Sequence, residues 1–494
     1  MLGGALAAGQ ENDGIADFTW SMPARYGHHV VAGKPARYPQ SAAEVDSGPF
    51  PVDFELDPAA CRRGVARTFR ISGAEPRAQR LGKRCAFRLS FESEGAYDVE
   101  LKIEGGGEDA SSTQTVVVQD FLIVSLGDSF ASGEGNPDNE DILGPKWQDR
   151  RCHRSAFAGP SLAARLIEGS DATERDARTS VTFVHLACSG AKITEGLTGG
   201  YLGSEPHGRR EKTVPLRPQL DELRDIARKR EIDAVLVSGG GNDVGFADLI
   251  TFCIKERNCP TKEIDTAKLD VLPSRRLVLD DAAPLALAQL PARYADVDAK
   301  LPADLPRDRV FIVEYIDATH RTTTELCDKI LADQVDRPEI EWAYDNLFSK
   351  LNQAVAKAAT DHGWRLVTGL AADSATHGYC TGNERWMRQL HEALLARNSK
   401  GTMHPNREGN AQIGDHIDEL LRPALVPNGV PREPRSPEDQ GELAAKVGVV
   451  PAELAEEDAV VDTGDGLGFG PGLLIGAAIG ALLAAGVALL LRRR

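Results

Sequence analysis

The sequence is short of positive charge. Its 57 Lys and Arg face 74 Asp and Glu, a formal net charge of −17, and no basic cluster alternates with aromatic side chains. Such a chain repels polyanions, so nucleic acid is excluded as an expected partner. Also missing is any Cys-x-x-Cys pair or metal-type spacing of Cys and His; the eight cysteines are scattered at 61, 85, 152, 188, 253, 259, 327 and 380. No metal is expected, and an even number of dispersed cysteines instead points to disulfides in an oxidising compartment, with eight free thiols as the alternative.

Charge of either sign is absent between Asp465 and Arg492, and Leu473 to Leu491 is all Leu, Ile, Val, Ala and Gly. That run is long enough to cross a bilayer as a helix. Arg492, Arg493 and Arg494 follow and would stay cytoplasmic by the positive-inside rule, which leaves the rest of the chain on the extracellular face of the cell membrane. The expected single-pass anchor spans 471–494, and its Gly476-x-x-x-Gly480 spacing is explained as well by composition as by helix pairing. Before it, 426–470 is acidic and carries Pro434, Pro437 and Pro451, a solvated linker. The first nine residues lack the length and charge of a complete signal peptide, although Ala5-Leu6-Ala7 has the small-x-small form of a cleavage site. Residues 1–48 are therefore read as an amino-terminal segment, either a truncated signal peptide or a flexible tail.

Over 49–119 the hydrophobic period is two. Phe87, Leu89 and Phe91 alternate with Arg88 and Ser90; Tyr97, Val99, Leu101 and Ile103 alternate with Asp98, Glu100 and Lys102 across the turn signal Glu92-Ser93-Glu94-Gly95. This predicts a small antiparallel β-sandwich, a spacer or a binding module. Only Cys61 and Cys85 fall inside it, so their pairing is the economical one. The Gly-x-Tyr-x-Val-x-Leu pattern, with a following strand at 115–118, resembles immunoglobulin-like or PKD-like surface modules.

After Asp120 the pattern changes to apolar runs of strand length, at 121–125, 181–186, 233–238, 309–314 and 364–368, which alternate with helical stretches that include 217–229 and 338–361. Alternation of this kind predicts an α/β fold, a parallel sheet covered on both faces whose strand carboxyl ends share one edge. The first three strands run into Gly127-Asp128-Ser129, Ser189-Gly190-Ala191 and Gly241-Asn242-Asp243, and after the fifth comes His404-Pro405-Asn406, where Asn406 can cap a helix. Strand-Gly-Asp-Ser alone also describes ordinary βα turns. With the other loops on the same rim, however, Ser129 is a candidate nucleophile, because a serine hydroxyl needs a base within hydrogen-bond reach and an imidazole such as His404 fills that role. The Ser129 and Gly190 backbone N–H groups and the Asn242 side-chain amide would form an oxyanion hole.

These four blocks, in this order over 120–425, resemble those of the SGNH, or GDSL, hydrolase superfamily of esterases and lipases. The resemblance implies a three-layer α/β/α, flavodoxin-like sheet and hydrolysis of carboxylic esters through an acyl-enzyme, without metal or organic cofactor. Ser129 would be the nucleophile, His404 the base, and Gly190 and Asn242 would complete the oxyanion hole. Where the superfamily usually carries an aspartate, three residues before the histidine, this chain has Gly401. A Ser–His dyad is therefore expected, with the Gly401 carbonyl orienting the ring and no carboxylate essential, neither Asp373 nor Glu384 of the preceding loop. The resemblance also implies a Cys152–Cys188 disulfide, with Cys253–Cys259 and Cys327–Cys380 as loop clasps, although eight cysteines allow 105 pairings.

Other polar residues receive structural readings. Asp128, Ser132 and Glu134 would organise the turn after the nucleophile, Asp243 would buttress Asn242, His185 would be a core residue, and His153 would line the crevice. The expected substrates are acyl lipids or small acyl esters, with O-acetyl groups on cell-surface polysaccharide as the alternative. The rival from another class is a non-catalytic adhesion or carbohydrate-binding protein on a degenerate hydrolase scaffold, favoured by the missing aspartate and the β-sandwich.

Overall fold

The computed structural model describes residues 16–25, 38–61, 66–72, 77–81, 84–105, 109–168 and 178–426. The chain divides into two units, Met1–Lys446 and Val447–Arg494. The second unit, with the expected anchor and most of its linker, lies outside the described residues, as does the amino-terminal small-x-small motif. No helix among the described residues is long and apolar enough to cross a membrane.

Period-two sequence becomes two antiparallel sheets. One orders Phe18–Ser21, Phe50–Leu56 and Ala86–Phe91; the other orders Arg77–Arg80, Ala66–Ser72, Gly95–Glu104 and Ala110–Val118. Alternate residues of Gly95–Glu104 are buried, which places Tyr97, Val99, Leu101 and Ile103 in one core with Phe69 of the neighbouring strand and Phe18 and Phe54 of the other sheet. Cys61 and Cys85 are joined within this unit.

The amino-terminal segment needs correction, because 1–48 is not a separate piece. Phe18–Ser21 pairs with Phe50–Leu56 in the register Phe18↔Leu56 to Ser21↔Asp53, so the sandwich begins at Phe18 rather than at 49. Further on, Tyr38, Ala42 and Val45 are buried in the other domain's core: the Tyr38 ring meets Phe183 edge-on at 5.5 Å, and the His185 N–H donates to the Pro39 carbonyl at 2.9 Å. Four residues of edge strand carry too little periodicity to be read, and a segment that covers a sheet edge carries none.

Five apolar runs form one parallel sheet from β1 (Asp120–Gly127), β2 (Ser180–His185), β3 (Ala234–Ser238), β4 (Val310–Val313) and β5 (Arg365–Val367), in the order β2-β1-β3-β4-β5. Every residue of β1, β2 and β3 is buried, which is why these strands read as continuous rather than alternating apolar runs. The connecting helices include α1 (Gly159–Glu168), α2 (Gln219–Ala227), α3 (Leu290–Lys300), α4 (Ser349–His362) and α5 (Arg407–Leu425). α1 packs on α5 and α3 on α4, as right-handed crossovers require when the strand order reverses at β1. The predicted helix 338–361 is one rod in three parts: Arg337–Ala343, a π-turn at Tyr344–Phe348, then α4. The strand order reverses between β1 and β3, and sheets of this type put their ligands at the carboxyl ends of the strands beside such a reversal.

At the opposite, amino-terminal edge, a buried ion cluster joins sandwich to sheet. The fully buried Asp120 carboxylate accepts from Ser180 Oγ (2.6 Å), Thr182 Oγ1 (2.5 Å) and Arg230 Nη1 (2.9 Å), and Arg25 Nε lies 3.6 Å away. Glu94, in the sandwich turn, accepts the Asp120 N–H at 2.7 Å and faces Arg230 at 3.5 Å. The guanidinium groups of Arg25 and Arg230 each sit 5.0 Å from the Phe50 ring centroid, a sandwich residue.

Candidate active site

The first rim loop is built for one tight turn. Gly127 has φ +143°, and a Cβ there would lie 2.3 Å from the Ser238 carbonyl oxygen, so only glycine lets β1 pass so close to β3. Asp128 then caps the single helical turn Ser129–Ser132 by accepting the Phe130 N–H at 3.0 Å. Its carboxylate is buried and held by Tyr315 Oη (2.6 Å) and Ser238 Oγ (3.2 Å), and burial pushes its pKa up. Every oxygen contact of Asp128 therefore organises the turn.

His404 reaches Ser129. Its Nε2 lies 2.7 Å from Ser129 Oγ, and its Nδ1 lies 3.1 Å from the Thr402 carbonyl oxygen. A carbonyl only accepts, so Nδ1 carries the hydrogen and Nε2 is left with a lone pair facing the hydroxyl. The expected acceptor at Gly401 is corrected here. The Gly401 carbonyl takes the backbone N–H of His404 at 3.1 Å, closing a turn, and Met403, at φ +62°, swings the Thr402 carbonyl beneath the ring. A left-handed methionine is strained, and two backbone bonds with Arg388 hold it: Met403 N–H to the Arg388 carbonyl (3.0 Å) and Arg388 N–H to the His404 carbonyl (2.8 Å). The Arg388 guanidinium is itself fixed on Glu140 and the Gly135 carbonyl.

Phe130 stands against the imidazole at a centroid distance of 5.5 Å and against Tyr315 at 4.9 Å. In this setting burial lowers the His404 pKa, an effect that Glu134, the Thr402 carbonyl and Asp128 oppose. His404 is thus a free base at neutral pH. The acid limb of an ester-turnover pH profile should have its midpoint below the ordinary imidazole value of 6.5, and a midpoint above that value would contradict this electrostatic account.

The other two rim loops meet the first. The Cys188 N–H donates to the Gly127 carbonyl at 3.0 Å, and the Cys152–Cys188 disulfide ties the second loop to the segment before α1. Gly190 is exposed at φ +81°, where a Cβ would lie 2.5 Å from the Tyr201 hydroxyl, and that hydroxyl donates to the Ser189 carbonyl at 3.1 Å. Asn242 Nδ2 donates to the Ala191 carbonyl at 2.9 Å and keeps a second N–H for another acceptor. Asp243, fully buried, accepts the Ile193 N–H and the Arg293 guanidinium (2.7 Å), so it fastens the second and third loops together. The remaining sulfurs pair as Cys253–Cys259 and Cys327–Cys380.

Removal of one side-chain donor to a tetrahedral intermediate costs about 100-fold in turnover or more. Asn242→Ala is accordingly expected to lower kcat for a small ester about 100-fold with KM little changed; an unaltered kcat would remove Asn242 from the oxyanion role.

Neither loop acid named from sequence is at the ring. The Asp373 carboxylate pairs with His416 Nε2 (3.0 Å), and the Glu384 carbonyl takes His377 Nδ1 (2.6 Å). Several contributors were not read from sequence. Thr402, Tyr315 and Arg388 act through loop geometry that leaves no local pattern. His153, read as lining the crevice, is buried and bonded through Nδ1 to Glu134 Oε2 at 2.7 Å. An acid between two glycines, Gly133-Glu134-Gly135, right after the nucleophile turn was the available signal. No group of three or more His, Cys, Asp or Glu among the described residues could hold a metal ion.

No family model matches the sequence. Among solved structures, a carbohydrate esterase family 2 enzyme with a carbohydrate-binding domain from Corynascus thermopiles (Myceliophthora fergusii) is 17% identical, with a TM-score of 0.31 over 74% of this chain and 89% of that one. An active-site mutant of a family two carbohydrate esterase from Clostridium thermocellum is 10% identical, with a TM-score of 0.28 over 72% of this chain and 88% of that one. Among curated proteins, the chain is 26% identical over 307 residues to a lipase of Streptomyces rimosus, 62% of this chain and 88% of the relative. It is likewise 26% identical over 317 residues to Lipase 1 of Streptomyces coelicolor (strain ATCC BAA-471 / A3(2) / M145), 64% of this chain and 90% of the relative. The chain is thus similar to streptomycete lipases over nearly their whole length.

Proposed function

We propose that this chain is a serine hydrolase of carboxylic esters, of the SGNH/GDSL type, acting on acyl lipids or small acyl esters. The observation that carries the reading is the 2.7 Å contact between Ser129 Oγ and His404 Nε2, at the rim where the Gly190 and Asn242 loops converge. Similarity to the two lipases supports it. His404 Nε2 takes the hydroxyl proton as Oγ attacks the ester carbonyl carbon, and Ser129 N–H, Gly190 N–H and the free Asn242 N–H receive the oxyanion. The Ser129 N–H belongs to the first residue of a helical turn, where the backbone donor has no intrahelical acceptor. His404 then passes its proton to the leaving alcohol, and a water deprotonated by the same nitrogen releases the acid from Ser129. Four disulfides favour an oxidising compartment, in keeping with a cell-surface enzyme held by 471–494.

The test uses the full chain with p-nitrophenyl esters of increasing acyl length, together with a fluorophosphonate probe located by peptide mass. Hydrolysis and labelling at Ser129 are expected. Well-folded protein that neither cleaves an ester nor takes the probe would favour the non-catalytic reading.

A further inference from the structure

We propose that Glu134 is the positioning carboxylate of the Ser129–His404 pair, supplying from the turn after the nucleophile the negative charge that other such sites place before the histidine. The proposal rests on the hydrolytic reading of that pair, and it replaces the expectation that no carboxylate matters.

Glu134 is fully buried, and its backbone is wedged between the two reacting side chains' loops. Its N–H donates to the Ser129 carbonyl at 3.2 Å, and its own carbonyl accepts from Asn398 Nδ2 at 3.0 Å. At the next residue, a Cβ on Gly135 would lie 2.2 Å from the Pro405 carbonyl oxygen and 2.9 Å from that of His404, so this turn and the histidine's loop are in backbone contact. A buried anion needs a partner, and His153 is fixed to be one. Its Nδ1 meets Glu134 Oε2 at 2.7 Å, its Nε2 faces Glu205 at 3.3 Å, and its ring stacks on Trp147 at 4.8 Å and 4°. The His153 backbone is held at φ +51°, a strained value for a non-glycine residue, between Cys152 of a disulfide and Arg154, whose guanidinium binds the Ala187 carbonyl. Such strain persists only where surroundings over-determine it. Here they deliver a charge-assisted bond to Glu134.

The electrostatics agree in direction. Glu134 and His404 each favour the other's charged form; His153 holds Glu134 below the ordinary carboxylate value, and the His153 pKa is pushed up to about 9. The charged groups facing this set are Asp128 at His404, Glu205 and Lys400 at His153, and Arg150 at Glu205. Glu205 is itself paired with Arg150 at 3.5 Å, so the negative charge that bears on the base is that of Glu134. That charge stabilises the imidazolium that forms as Ser129 attacks, without accepting its proton.

The test is Glu134→Gln in the full chain, read two ways. The imidazole pKa of His404 is measured by NMR on histidine-labelled protein, with its signal assigned by loss in His404→Asn, and kcat and KM for a p-nitrophenyl ester are followed against pH. Expected are a fall in the His404 pKa, a matching shift of the acid limb to lower pH, and a kcat lower by about 10- to 100-fold with KM unchanged. Glu134→Asp, which keeps the charge on a shorter arm, should lie between the two and covers the case in which the glutamine variant does not fold. An unchanged His404 pKa in either folded variant overturns the proposal even if the wild type is a good esterase. Conversely, a shifted pKa in a protein that cleaves no ester would uphold the charge coupling and sink the hydrolytic reading alone.

Discussion

Ser129→Ala is expected to slow ester turnover by about 10⁴-fold or more while leaving the thermal midpoint near that of the wild type. The Ser129 side-chain oxygen has its hydrogen bond to His404, so the change deletes the proposed nucleophile without opening the core. Asp128, which shapes the turn, keeps its contacts to Phe130, Tyr315 and Ser238. His404→Ala should lose a similar factor, because the hydroxyl without its base is a poor nucleophile. The double variant should be no slower than either single one, since the two side chains work as a unit. Hydrolysis within tenfold of wild type in Ser129→Ala would exclude the acyl-enzyme route, and losses that multiply in the double variant would mean that the two residues act separately.

The second large effect is at the other edge of the sheet. Arg230→Met should destabilise the protein by about 3 kcal/mol, the lower end for breaking a buried ion pair, because Arg25 and the Ser180 and Thr182 hydroxyls remain at Asp120. The midpoint of urea unfolding reads this directly, and an unchanged midpoint would show that the cluster carries no stability. The eight residues of β1 separate this cluster from the reacting hydroxyl by about 25 Å, so kcat of the folded variant should match wild type. The same cluster has a pH signature. Burial raises the Glu94 pKa from 4.5 to about 7, so the folded state holds this proton more tightly than the unfolded chain does. The contribution of Glu94 is therefore intact below about pH 4.5 and is lost as pH rises through about 7. Glu94→Gln cannot lose a proton, so its stability relative to wild type should climb across that window; a flat difference would contradict the burial of this carboxyl.

Much of this was legible in the sequence because each signal was local. A strand buried on both faces is an unbroken apolar run, so β1, β2 and β3 could be placed to within two residues, and the rim loops followed from where those runs stopped. Alternation in Gly95–Glu104 mapped directly onto burial. What could not be read depends on geometry between distant segments. The carbonyl under His404 moved by one residue because Met403 adopts a left-handed backbone, imposed by Arg388 rather than by any preference of methionine. Tyr315 reaches Asp128 across 187 residues, and Asn398 reaches the Glu134 carbonyl across 264. Glu134 was read as organising the turn after the nucleophile, but its bond to His153, 19 residues on, left no local pattern.

The early part of the chain has a practical consequence for anyone wishing to produce the enzyme in pieces. A fragment begun at 120, where the sheet starts, would strip Tyr38 from the Phe183 ring and leave Asp120 without Arg25 and Glu94. One begun at 49 would keep Glu94 but forfeit the Phe18–Ser21 edge and Tyr38. The shortest fragment that folds should therefore retain residues from Ala16 onward, and the two lobes are better regarded as one obligate folding partner pair than as a sheet domain with a detachable module.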